Sequence, residues 1–112
     1  MTRNKEATTA IYDQAVEVYD QAVEVYDRAD GVRKQAWAAY DQAEDAHIEA
    51  RDNPQSYSKD AVAQALTTFL RVGREADQAE AAYRAAYDAM LEANQVMSNA
   101  EEQVSSYERH NS

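Results

Sequence analysis

The heptad YDQAVEV fills residues 12–18 and returns unchanged at 19–25, and a looser copy, YDRADGV, fills 26–32. A seven-residue repeat rich in Ala and Val marks a helix that buries one stripe against another helix. With Ala15 placed at position a, the a column reads Ala15, Ala22, Ala29, Ala36, Ala43 and Ala50. The d column reads Ile11, Val18, Val25, Val32, Ala39 and Ala46. The two columns alternate at 4,3 spacing without a slip, which predicts an a/d seam along the whole first half of the chain.

Working outward, a second seam follows Pro54: Ala65, Phe69, Val72, Ala76, Ala79, Tyr83, Ala86, Met90, Ala93, Met97, Ala100, Val104 and Tyr107. Between the seams lies DNPQSYS, at 52–58. Pro54 cannot continue a helix and drives Asn53 out of helical geometry. Ser58 is a good N-cap, and Asp60 follows where the helix dipole favours an anion. The prediction is a helix over about 5–52, a loop at 53–57 and a helix over about 58–108, forming one domain over 1–112. The fold class is therefore all-α: a long two-helix antiparallel coiled-coil hairpin with an Ala-rich seam. A fold-back centred on Pro54 predicts layers such as Ile11–Met97, Ala15–Ala93 and Val25–Tyr83, and brings Gly73 near Trp37. Gly31 could break the first helix. The seam keeps phase through Ala29, Val32 and Ala36, however, so a continuous helix is expected.

Composition agrees. Of 112 residues only Gly31 and Gly73 are glycine and only Pro54 is proline, too few for the turns of a β-sandwich. The net charge is -10, which argues against direct contact with nucleic acid or anionic membranes and favours a partner with a basic surface. There is no cysteine, so disulfides and thiolate chemistry are excluded. The stretch MTRNKEATT lacks the apolar core of a secretory signal, and no apolar run approaches a bilayer span, so a cytoplasmic location is expected.

Apolar residues spill beyond the seam. Position e carries Tyr12, Tyr19, Tyr26 and Tyr40, and position b carries Val16, Val23 and Trp37. The second helix offers Leu66, Gly73 and Tyr87 at e, with Leu70 and Leu91 at b. Together these predict one apolar edge, wider than a single partner helix covers. The opposite edge, with Gln14, Gln21, Arg28, Gln35, Gln42 and Glu49, reads as polar. Such an edge suits self-association of two hairpins into a four-helix bundle, or docking of another protein.

Asp13, Glu17, Asp20, Glu24 and Asp27 form an acidic line at c and f, with no Lys or Arg between 12 and 27. One carboxylate recurs about every 5 Å of axis, fairly close to the 3.4 Å phosphate spacing of one DNA strand. In kind this is similar to small acidic phage proteins that block host defences by imitating nucleic acid.

Catalytic chemistry is sparse. Glu44 and His47 give one Glu-x-x-His pair where a di-iron bundle needs two plus further inward glutamates. His110 lies in the polar tail SSYERHNS. No Gly-rich phosphate loop or Ser–His–Asp arrangement is present, and Trp37 sits in WAAY rather than in the Trp-x-Gly turn of small secreted helical hairpins. The expectation is a protein without enzymatic activity, cofactor or metal. It would act as a homodimeric adaptor or structural coiled coil, with nucleic-acid mimicry as the alternative.

Overall fold

A computed structural model describes residues 5–110 as two helices, α1 over Lys5–Asp52 and α2 over Lys59–His110. The all-α helical hairpin is the fold. Residues 1–4, part of the stretch read as non-secretory, and 111–112 lie outside the described residues. Helix α2 runs two residues further than expected, to His110.

The helix ends follow the predicted chemistry. Asn53 closes α1 by donating its side-chain N–H to the Glu49 carbonyl at 2.7 Å. The Asn53 carbonyl then accepts from the Ser56 and Tyr57 amides at 3.0 and 3.2 Å. Ser58 caps α2: its Oγ accepts from the Ala61 amide at 3.1 Å, satisfying a first-turn donor that would otherwise be orphaned. Helix α1 passes through Gly31 unbroken, and no glycine has positive φ.

Contacts divide the chain into two units: Met1–Asp27 with Ala85–Ser112, and Arg28–Arg84. In each, a segment of α1 packs on a segment of α2. The first unit buries Thr8, Ala15, Ala86, Ala93 and Ala100. The second buries Ala50, Val72, Ala76 and Ala79, with Ala76 fully enclosed. Among the described residues, Val72 is thus the largest buried apolar side chain. Alanines at the contact let backbones approach closely, leaving little room for larger groups between them.

Helix α2 turns the predicted positions inward: Val72, Ala76, Ala79, Ala86, Ala93 and Ala100 are buried and the rest are half-buried. Helix α1 differs in one respect. Its a column is inward, but its d column is not: Ile11, Val18, Val25 and Val32 are 46, 49, 50 and 56% exposed. The half-buried companions of the alanines are instead the e residues Tyr12, Tyr19, Tyr26, Arg33, Tyr40 and His47. The seam of α1 is therefore a/e. The reason is size. From the alanine column, d lies roughly 60° to one side and e roughly 40° to the other, so either can turn inward. A tyrosine ring brings far more area to the contact than a valine and keeps its hydroxyl at the wet margin.

The pairing shifts as well. Tyr40 meets Gly73, Arg33 meets Glu80 and Tyr26 meets Tyr87. These pairs centre the fold-back between Ser56 and Tyr57 rather than on Pro54. The turn bonded from the Asn53 carbonyl to the Ser56 and Tyr57 amides encloses Pro54 near its start and extends past it, so the fold-back lies C-terminal to the proline.

Candidate interaction surfaces

The two flanks of the hairpin are built differently. One carries the b column of α1 and the e and b columns of α2, the edge read from sequence as apolar. In the second unit it holds an aromatic cluster. The Trp37 and Tyr40 rings meet edge-on at 5.4 Å, and Tyr40 lies 5.1 Å from Phe69. His47 stacks on Phe69 at 5.7 Å and 8°, so the histidine of the Glu-x-x-His pair is engaged with a ring. The neighbour of Gly73 is not the expected Trp37. A Cβ at Gly73 would lie 3.4 Å from the Tyr40 ring, so the missing side chain makes room for Tyr40, not for the Trp37 indole.

Beside this cluster sits a polar knot that sequence reasoning missed. Arg33 occupies an e position, in line with the tyrosines. Its guanidinium lies 4.2 Å from the centre of the Tyr83 ring, a cation–π contact. It also donates to Asp30 at 2.7 Å and approaches Glu80 at 3.9 Å. Glu80 accepts from the Trp37 indole N–H at 3.1 Å and pairs with Arg84 at 3.5 Å. Hydrogen bonds from Arg33 and then Lys34 hold the Asp30 carboxyl below the usual carboxylate range. The same bond to Asp30 raises the Arg33 pKa further. One Arg in a column of tyrosines was the available signal. Its partner Glu80 needs the register, which the sequence reading placed elsewhere.

In the first unit the same flank carries half-buried Tyr12, Val16, Tyr19, Val23 and Tyr26. The Tyr26 and Tyr87 rings meet at 5.8 Å, so this tyrosine is engaged within the chain. What remains open on this flank lies mainly on α2: Tyr87 and Leu91 in the first unit, Leu66 and Leu70 in the second, each 40–52% exposed.

The opposite flank, expected to be polar, is apolar in its inner column. In the first unit Ile11, Gln14, Ala15, Val18, Ala93 and Val96 line a shallow cleft of about 250 Å³. Gln14 lines this cleft beside the aliphatic side chains, and Gln21 continues its column along α1. In the second unit Val32 continues the exposed d column.

Asp13, Glu17, Asp20, Glu24 and Asp27 are all exposed. None has an ion-pair partner among the described residues. Nor is any helix of the described residues long and apolar enough to cross a membrane. No protein-family model matches this chain, and no curated protein or solved structure matches it significantly.

Proposed function

We propose that this chain is a non-enzymatic protein–protein interaction protein, an adaptor or structural coiled coil that acts as a homodimer. One observation carries the reading. The hairpin spends its alanines on its own seam and leaves its large aliphatic side chains half exposed on both flanks. Exposed apolar patches of this kind mark contact surfaces. The flank with Tyr87, Leu91, Leu66 and Leu70 suits a foreign protein. On α1 its b column borders the f column, where Asp13, Asp20 and Asp27 offer a charged rim to a basic partner. The reading takes the compartment to be the cytoplasm.

The test is affinity capture with the full chain from the cells that make it. Tyr87→Glu with Leu91→Glu should lose the captured protein, while Asp20→Lys with Glu24→Lys should weaken it in a salt-dependent way. Capture unaffected by the apolar pair and abolished by the charge pair would overturn the adaptor reading. That result would favour the second reading, an acidic inhibitor that occupies a nucleic-acid-binding groove. The unpaired acidic line of α1 supports this alternative, and it requires that DNA or RNA compete for the captured protein.

A further inference from the structure

We infer that the groove between Ile11, Val18 and Val25 of α1 and Val96 of α2, in the first unit, docks a basic amphipathic helix of a foreign protein. The inference rests on the protein-interaction reading above and adds a second contact surface to it. It requires that the homodimer leave this flank open.

Shape gives the docking mode. Ala15 and Ala93 are buried and too short to fill the margin between their helices, so a cleft of about 250 Å³ stays open beside them. Ile11, Val18 and Val96 line it and are 46, 49 and 57% exposed. Val25, one heptad on from Val18, is 50% exposed. The other flank of this unit holds half-buried tyrosine rings instead, with Tyr26 against Tyr87 at 5.8 Å. A groove with aliphatic walls takes the apolar stripe of a helix, whose side chains at i, i+3, i+4 and i+7 enter it turn by turn. From Ile11 to Val25 the column runs about 21 Å, or about four turns of such a helix.

Charge gives the partner. Glu17 and Glu24 border the groove on α1, and Glu92 borders it on α2, with Glu102 further along. All four are exposed, and none has an ion-pair partner among the described residues. Residues 6–27 and 85–108 together hold eleven carboxylates and no Lys or Arg. Residues 28–84, the second unit, hold ten acidic and eight basic side chains, so a basic partner is drawn to the first unit. A second copy would bring the same carboxylates against this rim, and like charges repel. A helix with Leu, Ile or Met along one face and Lys or Arg on both margins avoids that repulsion. Its apolar face fills the groove, and its cations meet carboxylates on each side.

The probe is a synthetic helix of about 18 residues, ~27 Å long, with leucines at i, i+3, i+4 and i+7 and lysines elsewhere. Its binding to the full chain is measured by titration calorimetry, and a scrambled peptide of the same composition reports the effect of charge alone. At about 0.15 M salt the amphipathic peptide should bind at least about tenfold more tightly than the scrambled one. Val18→Ser with Val96→Ser should weaken binding by about tenfold or more, with helicity retained in circular dichroism, because both side chains are half exposed outside the hairpin's own seam. Glu24→Gln with Glu92→Gln should weaken it about threefold at low salt and hardly at all at high salt. Equal binding of the two peptides, or binding unchanged by the Val18/Val96 pair, overturns the inference and leaves capture through Tyr87 and Leu91 standing. Location is read separately, since the chain has no cysteine of its own. A peptide with one cysteine on its apolar face should form a disulfide with Val18→Cys faster than with Leu91→Cys, and the reverse order overturns the assignment to this groove. A wild-type dimer that the Val18/Val96 pair reduces to the single-chain mass in light scattering would put a second copy in the groove and overturn it too.

Discussion

The d and e columns of α1 lie side by side around one line of alanines, yet they have opposite fates. Tyr12, Tyr19, Tyr26 and Tyr40 turn toward α2 and are half buried, while Ile11, Val18, Val25 and Val32 are left about half exposed. By hydropathy the aliphatic column should have won. The lesson is that a seam built on alanine selects its second column by reach rather than by hydrophobicity per residue. With helix axes close together, the long flat tyrosine ring lies over the neighbouring helix and covers it. A valine on either side covers little.

The comparison breaks most sharply where the seam has no space. Ala76 is completely buried, so Ala76→Leu should destabilise the hairpin by about 1–3 kcal/mol or more. Val32→Leu, on the open column of the same unit, should change stability by under about 0.5 kcal/mol. Urea unfolding of both variants measures the difference, and equal losses would mean that α1 does not pack through a and e.

Adjacent residues provide the next test. Tyr26→Ala should lose about 2 kcal/mol, less than a fully buried aromatic would, because the ring meets Tyr87 at a tilt and is only partly enclosed. Val25→Ala should lose far less, since Val25 is half exposed outside the hairpin's own seam. Thermal melts of the two variants separate the two behaviours.

The two glycines sharpen the picture on a smaller scale. A Cβ at Gly31 meets nothing within 4 Å, and the residue is helical. Gly31→Ala should therefore stabilise by about 1 kcal/mol. Gly73→Ala should gain less, because the new methyl meets a Tyr40 ring already held by Trp37 and Phe69. An equal gain at both sites would show that Tyr40 does not lie over Gly73.

The smallest effect concerns the polar knot. Asp30 titrates below the usual carboxylate range because Arg33 and Lys34 donate to it. A depressed folded pKa contributes stability above the ordinary carboxylate pKa and loses it as pH falls through the lowered value. Asp30→Asn should thus be slightly less stable than wild type near neutral pH and match it in strong acid. Melting curves across that range check the sign.

Much of the hairpin was legible in the sequence. Pro54 and Ser58 announced the loop and the cap, the alanines of α1 announced its innermost line, and the whole α2 seam from Ala65 to Tyr107 was readable. The choice between Val25 and Tyr26 was not, because both are apolar and both border the same alanines. That ambiguity also hid the Ile11–Val18–Val25 flank, which borders a column of glutamines. The Arg33–Glu80–Trp37 contacts were hidden for another reason. They depend on which residue of α2 faces Arg33, and a shift of the fold-back by two or three residues changes that partner.

The central claim is that the tyrosine column of α1 faces α2, and proton NMR of the full chain tests it directly. With only two glycines, the Gly73 Hα signals are readily assigned. The account predicts a nuclear Overhauser effect between these protons and the Tyr40 ring, with the Trp37 indole N–H near Glu80. Contacts from Val32 and Ala39 to the buried alanines of α2 within one chain, with the Tyr40 ring remote from Gly73, would contradict it.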